Sequence, residues 1–196
     1  MADFRSEPSI GARIKLTRRQ RGYRTTRELA DAIPADNVTM AVLENIESGR
    51  KADLSVSQLL NIARGLGVPP SMLLAPMATP DAKLDLPNLS AHFDEMTPAE
   101  FDCWLSATPL STYRPTLAAE REDIEILNSL RELGTLRREL ERLHVILGVQ
   151  TASGDPDLTA SNRDVQERID RLTREIARVA GLLVSAGISE RLESAS

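Results

Sequence analysis

The sequence predicts an all-α chain in three parts: a compact five-helix head, an acidic proline-containing middle segment and a C-terminal helical hairpin. Three observations point there. Apolar residues step by three and four through residues 126–147 and again through 165–186, the period of a helix rather than a strand. Polar caps and Gly or Pro stops cut the first 75 residues into brief segments. Only six aromatics occur and none lies beyond Tyr113, so the back half must pack with Leu, Ile, Val and Ala, as bundles and coiled coils do.

The head is expected over residues 8–75, preceded by a loose arm. Residues 10–21 read as a first helix, with Ile10, Ile14 and Leu16 inward. Arg13, Lys15, Arg18, Arg19 and Arg21 surround the rest, and Arg13 and Lys15 are expected to be free or near phosphate. Residues 25–49 form the central stretch. Thr25 caps a helix and Glu28, three residues on, closes a capping box; Leu29, Ala30 and Ile33 supply its apolar side. Pro34-Ala35-Asp36-Asn37 stops it, because proline cannot continue the hydrogen-bond ladder. A second helix starts near Thr39, buries Val38, Leu43 and Ile46, and ends at Gly49. Two helices joined by a tight turn make the core of a helix-turn-helix, whose second helix enters the DNA major groove. Residues 55–67 give a fourth helix carrying Leu59, Leu60, Ile62, Ala63 and Leu66. Pro70 opens a short fifth that takes Met72, Leu73 and Leu74 into the core.

DNA contact needs phosphate clamping and base reading. Arg24, Thr25, Thr26 and Arg27 cluster where the first helix of the pair points its N-terminus, which suits a phosphate oxygen. Arg50 and Lys51, just past the second helix, suit another. Asn37, in the turn, is counted with them.

Five blocks in order carry a resemblance: Ile10-Gly11-Ala12-Arg13-Ile14; Gly22-Tyr23; Thr26-Arg27-Glu28-Leu29-Ala30; Leu43-Glu44-Asn45-Ile46-Glu47-Ser48-Gly49-Arg50; and Leu59-Leu60-Asn61-Ile62-Ala63-Arg64-Gly65-Leu66-Gly67-Val68. Residues 10–74 resemble the phage-repressor-like helix-turn-helix domains of the Cro and lambda-repressor type. The resemblance implies an ion pair between Arg18 and Glu47 and a DNA-backbone contact from Thr26. It also implies base reading by Thr39, Met40, Ala41, Glu44 and Asn45. Arg and Gln, the usual bidentate readers, are absent from those positions, and Asn45 is the only amide. The turn is longer than the family's usual one. The resemblance does not extend to residues 76–196.

Residues 76–115 read as linker, with prolines at 76, 80, 87, 98, 109 and 115 and acidic residues facing Lys83 as the only lysine. Thr97-Pro98-Ala99-Glu100 is a capping signature inside it, opening a short helix at 98–106 with Phe101, Trp104 and Leu105 on one side. That helix either packs on the rest of the chain or, within residues 90–110, binds a protein partner.

The hairpin is expected over 116–188. One helix carries Ile126, Leu130, Leu133, Leu136, Leu140, Leu143 and Leu147; the other carries Val165, Ile169, Leu172, Ile176, Val179, Leu183 and Ala186. Ser153-Gly154-Asp155-Pro156-Asp157 supplies the turn. Leu182 and Val184 fall off the main stripe, and surplus apolar surface implies another layer: a second chain's hairpin or the acidic middle segment. The first is preferred, a homodimer held by Leu140, Leu143, Leu147, Ile176, Val179, Leu182 and Leu183.

The net charge is −5, but residues 1–75 carry 11 Lys/Arg against 8 Asp/Glu, net +3, leaving −8 on the remainder. A mildly basic head on an acidic body suits local phosphate contact by one face. One cysteine, Cys103, allows neither a disulfide nor a cysteine zinc site within one chain, and no stretch suits a membrane span. His92 and His144 lie far apart, and neither a phosphate loop nor metal-ligand spacing occurs. No enzyme, cofactor or metal is expected. The expected function is a cytoplasmic, nucleoid-associated transcriptional regulator, a repressor that binds double-stranded operator DNA as a homodimer. The alternative is an adaptor or antitoxin-like protein whose middle segment or hairpin captures a protein partner.

Overall fold

The structure, a computed structural model, describes residues 3–84, 86–108, 112–153 and 158–188. Among these residues every regular element is helical. They fall into two compact units: 3–106 with 112–114, and 107–108 with 115–188.

The first unit opens with a short 3-10 helix, Phe4–Ser6, whose cap Asp3 accepts from the Arg5 N–H. Helix α1 (Ile10–Gln20) starts at Ser9, whose Oγ accepts from Ala12. Next come α2 (Thr26–Ala32), α3 (Met40–Glu47), α4 (Val56–Leu66) and α5 (Pro70–Leu74). A complete capping box between Ser55 and Gln58 starts α4, and Gly67, at φ 64° in the left-handed region, ends it. Ile14, Leu29, Leu43, Ile62 and Leu73 are fully buried at the centre of one cluster. Phe4 packs against that cluster, so the first residues described are not a loose arm.

Arg13 corrects the sequence expectation more sharply. It is completely buried, not free or near phosphate. Its guanidinium donates to the carbonyls of Leu73 (2.8 Å), Leu74 (2.8 Å) and Glu7 (2.7 Å). Those acceptors include the last carbonyls of α5, which a short helix leaves unsatisfied and which favour a cation. Arg13 thereby ties α1 to both neighbours.

Of residues 76–115, expected as linker with a short helix at 98–106, the described residues to 106 and 112–114 belong to this first unit. The Ala78 N–H donates to the Arg5 carbonyl and the Ala99 N–H to the Pro80 carbonyl. A second 3-10 helix (Ala91–Phe93) precedes α6 (Pro98–Ser106). Thr97 and Glu100 form the reciprocal cap of α6. Phe101 is buried, and the Trp104 ring meets Phe93 edge-on at 5.5 Å.

The second unit contains α7 (Ala118–Ser153) and α8 (Thr159–Ser185). They run in opposite directions: Gln150 donates to Ser161, Glu139 pairs with Arg168 at 2.6 Å, and Leu133 packs with Val179 and Leu183. The turn read at residues 153–157 lies, but for Ser153, outside the described residues. Leu143, Val179 and Leu183, expected to hold two chains together, are each buried within the single chain. The reason is geometric: residues on the main stripe of each helix face the other helix of the same chain. Ile176 is half-buried against that core, and Leu140 and Leu147 are also half-buried. Of the expected set only Leu182 stays largely exposed, at 54%. No helix among the described residues is long and apolar enough to cross a membrane.

Candidate nucleic-acid interface

Helix α3 is fixed on three sides. Leu43 and Ile46 are buried beneath it, a stabilisation of about 1.5–3 kcal/mol each on transfer grounds. Its start is capped by Thr39, whose hydroxyl accepts from the Val42 N–H at 3.3 Å. Its last turn lies directly on α1 at Gly11, where a Cβ would sit 2.1 Å from the Ile46 carbonyl oxygen. Only glycine permits that approach.

The Arg18–Glu47 pair locks the same end. Arg18 Nε and Nη2 donate to the two Glu47 oxygens at 2.6 and 2.8 Å, a bidentate geometry, and both side chains are almost fully buried. The remaining donor, Nη1, serves the carbonyls of Tyr23 and Arg24 at 2.8 Å each. One guanidinium therefore sets the end of α3 and the chain entering α2. The hydrogen bonds to Glu47 hold the Arg18 pKa above its ordinary value.

On the outer side of α3, Ala41, Glu44 and Asn45 are exposed and Met40 is half-buried. Ala41, Glu44 and Asn45 share one helical face by their spacing of three and four. Thr39 is exposed beside them with its oxygen committed to the cap. Arg24, Thr25 and Arg27 are exposed at the start of α2, and Thr26 is half-buried. Thr25 caps α2 by accepting from Glu28, while a Glu28 carboxylate oxygen accepts from the Arg24 N–H at 2.6 Å. A carboxylate already stands at that helix start, so the groups there that could meet an anion are the exposed Arg24 and Arg27 side chains.

Two residues assigned to DNA from the sequence have other employment. Asn37 donates from Nδ2 to Ser57 Oγ at 2.8 Å and accepts on Oδ1 from Asn61 at 3.1 Å. Its carbonyl accepts from Gln58 Nε2 at 2.9 Å. Lys51 Nζ donates to Gln58 Oε1 at 2.8 Å. Asn37 thereby fastens the segment before α3 to α4, where its turn carbonyl needs a partner, and Lys51 fastens the segment after α3. Arg50 stays exposed, its Nε donating to Ser48 Oγ at 3.1 Å.

Gln58 is the residue that sequence reasoning missed. It is 93% buried by its 7% exposure, and it joins the segments before and after α3 to α4. The Ser-x-x-Gln spacing from Ser55 was the available signal, since it is a capping box. Arg21 is likewise structural: its Nε donates to the Leu66 carbonyl at 3.0 Å, at the end of α4.

The arrangement offers a rigid helix with one exposed amide and an acid on its outer face, flanked by exposed Arg24, Arg27 and Arg50. Chemically it suits phosphate contact by guanidinium groups and limited base reading by Asn45. No family model, curated protein or solved structure matches the chain.

Proposed function

We propose that this chain is a DNA-binding transcriptional regulator of the Cro and lambda-repressor type, a repressor acting from an operator that it occupies as a homodimer. In this reading α2 and α3 are a helix-turn-helix, α3 is the recognition helix, and α7 and α8 are a helical hairpin. The observation that supports it best is the way α3 is held. A buried bidentate pair and a glycine contact fix its inner side, while Ala41, Glu44 and Asn45 are left to solvent. Fixing a helix so firmly while exposing its other face suits a rigid reader of a groove. The chain would work in the cytoplasm, on the nucleoid.

Base contacts would come from Asn45, and apolar contacts with thymine methyls from Met40 and Ala41; Glu44 would accept from cytosine. Arg24, Arg27 and Arg50 would bind phosphates. With few direct readers, part of the specificity would rest on duplex shape. The test is fluorescence anisotropy with random duplex at two salt concentrations, then with the DNA upstream of the chain's own coding sequence. Tight, salt-dependent binding that favours the upstream duplex is expected. Absence of binding at low salt to either duplex would overturn the proposal.

One observation favours the adaptor reading instead. Trp104 and Leu105 remain 36% and 47% exposed on α6. Under that reading Trp104→Ala abolishes function while Arg27→Ala and Asn45→Ala do not.

A further inference from the structure

Helix α4 presents an outer face that nothing among the described residues covers. Val56 is 73% exposed and Leu60 49% exposed, and Arg64 and Gly67 are exposed on the same side. Each residue turns the helix by about 100°, so positions 56, 60, 64 and 67 fall within about 80° of one another. Asp53 stands exposed just ahead of the Ser55 cap, at the opposite end from Arg64. From the segment ahead of the cap to the last turn, the exposed order along the chain is acid, apolar, apolar, base.

That order is self-complementary. A two-fold axis places the same patch on both partners, so each residue must suit its own symmetry mate's neighbours. Laid antiparallel against itself, the α4 face sets each Asp53 opposite an Arg64 and brings the two Val56–Leu60 pairs together. Gly67 adds no side chain to obstruct the approach. Asp53 is already oriented, because its Oδ2 accepts from Asn88 Nδ2 at 2.7 Å, and Oδ1 retains acceptor capacity. Arg64 makes no ion pair among the described residues.

The competing surface on the second unit is less coherent. Leu182 and Val184 are exposed near the end of α8, whereas Val145 and Val149 are exposed far along α7 towards the other end of the pair. They form separate spots, not one stripe.

From the charge order and the uncovered apolar pair we infer that a second copy of this chain docks on the outer face of α4, in an antiparallel two-fold contact. The inference rests on the homodimer part of the proposed function and names its surface. An 11-residue helix is about 16 Å long, so the contact is smaller than the ~800 Å² per partner of a standard interface. Self-association should be weak, with Kd roughly in the tens of micromolar.

Sedimentation equilibrium of the full chain, from about 10 to 300 μM to bracket that Kd, tests it. Association is expected for the unaltered chain and a weakening of about tenfold or more for Leu60→Glu, with circular dichroism unchanged. Asp53→Arg and Arg64→Glu should each weaken self-association, since each sets like charges across the axis. An equimolar mixture of those two variants should recover it, because both cross-pairs are then of opposite charge. A chain that stays monomeric throughout, or a mixture that fails to recover, overturns the inference. If Leu182→Glu dissociates the dimer while Leu60→Glu leaves it intact, pairing stands but the α4 surface does not. DNA binding is read separately by anisotropy, so loss of the DNA reading leaves these outcomes interpretable.

Discussion

Replacing Gly11 with alanine isolates the contact that sets α3 against α1. The new Cβ would lie 2.1 Å from the Ile46 carbonyl oxygen and 3.1 Å from its carbon, both backbone atoms that no rotamer change can move. Relief requires the helices to part by about 1 Å, which opposes the Arg18–Glu47 bonds at 2.6 and 2.8 Å between the same two helices. Overpacking of this kind costs about 3 kcal/mol at the upper end of its usual range. Alanine returns about 1 kcal/mol through its better helix propensity, leaving a net loss of about 2 kcal/mol. For a unit of this size that lowers Tm by roughly 8–16 °C. Thermal circular dichroism gives the shift, and hydrogen exchange on α1 and α3 peptides locates it, with α7 and α8 as internal control. A Tm that holds or rises would show that α1 and α3 are not crowded at this position, because an uncrowded helical glycine is stabilised by the same change.

Glu47→Ala should cost about 3 kcal/mol, since it leaves a buried guanidinium without its counter-charge, whereas Arg18→Met with Glu47→Leu should cost less than the two single changes summed; denaturant titration decides both. Arg18 has a raised pKa, so its stabilisation is fully present below its unfolded value and is lost only as pH climbs through the raised one. Head stability measured from pH 7 to 9 should therefore show no slope from this residue. Asn37→Ala and Lys51→Ala should lower stability by about 1 kcal/mol each and leave the salt slope of DNA binding unaltered, as scaffold residues would. Arg27→Ala should weaken binding to all duplexes and reduce that slope by about 1, while Asn45→Ala should cost about 1–3 kcal/mol of discrimination; equal salt slopes for Arg27→Ala and the unaltered chain would exclude a phosphate contact.

The helical character was legible because caps and periods are local. Thr25 and Thr97 are helix caps that side-chain chemistry marks in the sequence, and Gly67 ends α4 because glycine readily takes the left-handed φ found there. Arg13 was illegible because its burial depends on carbonyls of residues 73 and 74, brought near only by the tertiary fold. A cation on an amphipathic helix looks solvated until its acceptors are known. The bonds of Asn37 and Lys51 to α4 were hidden for a related reason: polar residues beside a recognition-like helix suit DNA and scaffold equally in sequence, and the α4 residues that meet them lie elsewhere in the chain. Leu143, Val179 and Leu183 show the limit of periodicity, which identifies an apolar stripe without saying whose helix covers it.

The proposed function requires that duplex DNA dock on α3 and the start of α2. Hydrogen exchange of the full chain with and without duplex at low salt tests it most directly. Added protection across residues 24–27 and 39–51, with α7 and α8 unchanged, is the expected result. Bound DNA that protects the second unit or α6 while leaving residues 39–51 exchanging as before would contradict it.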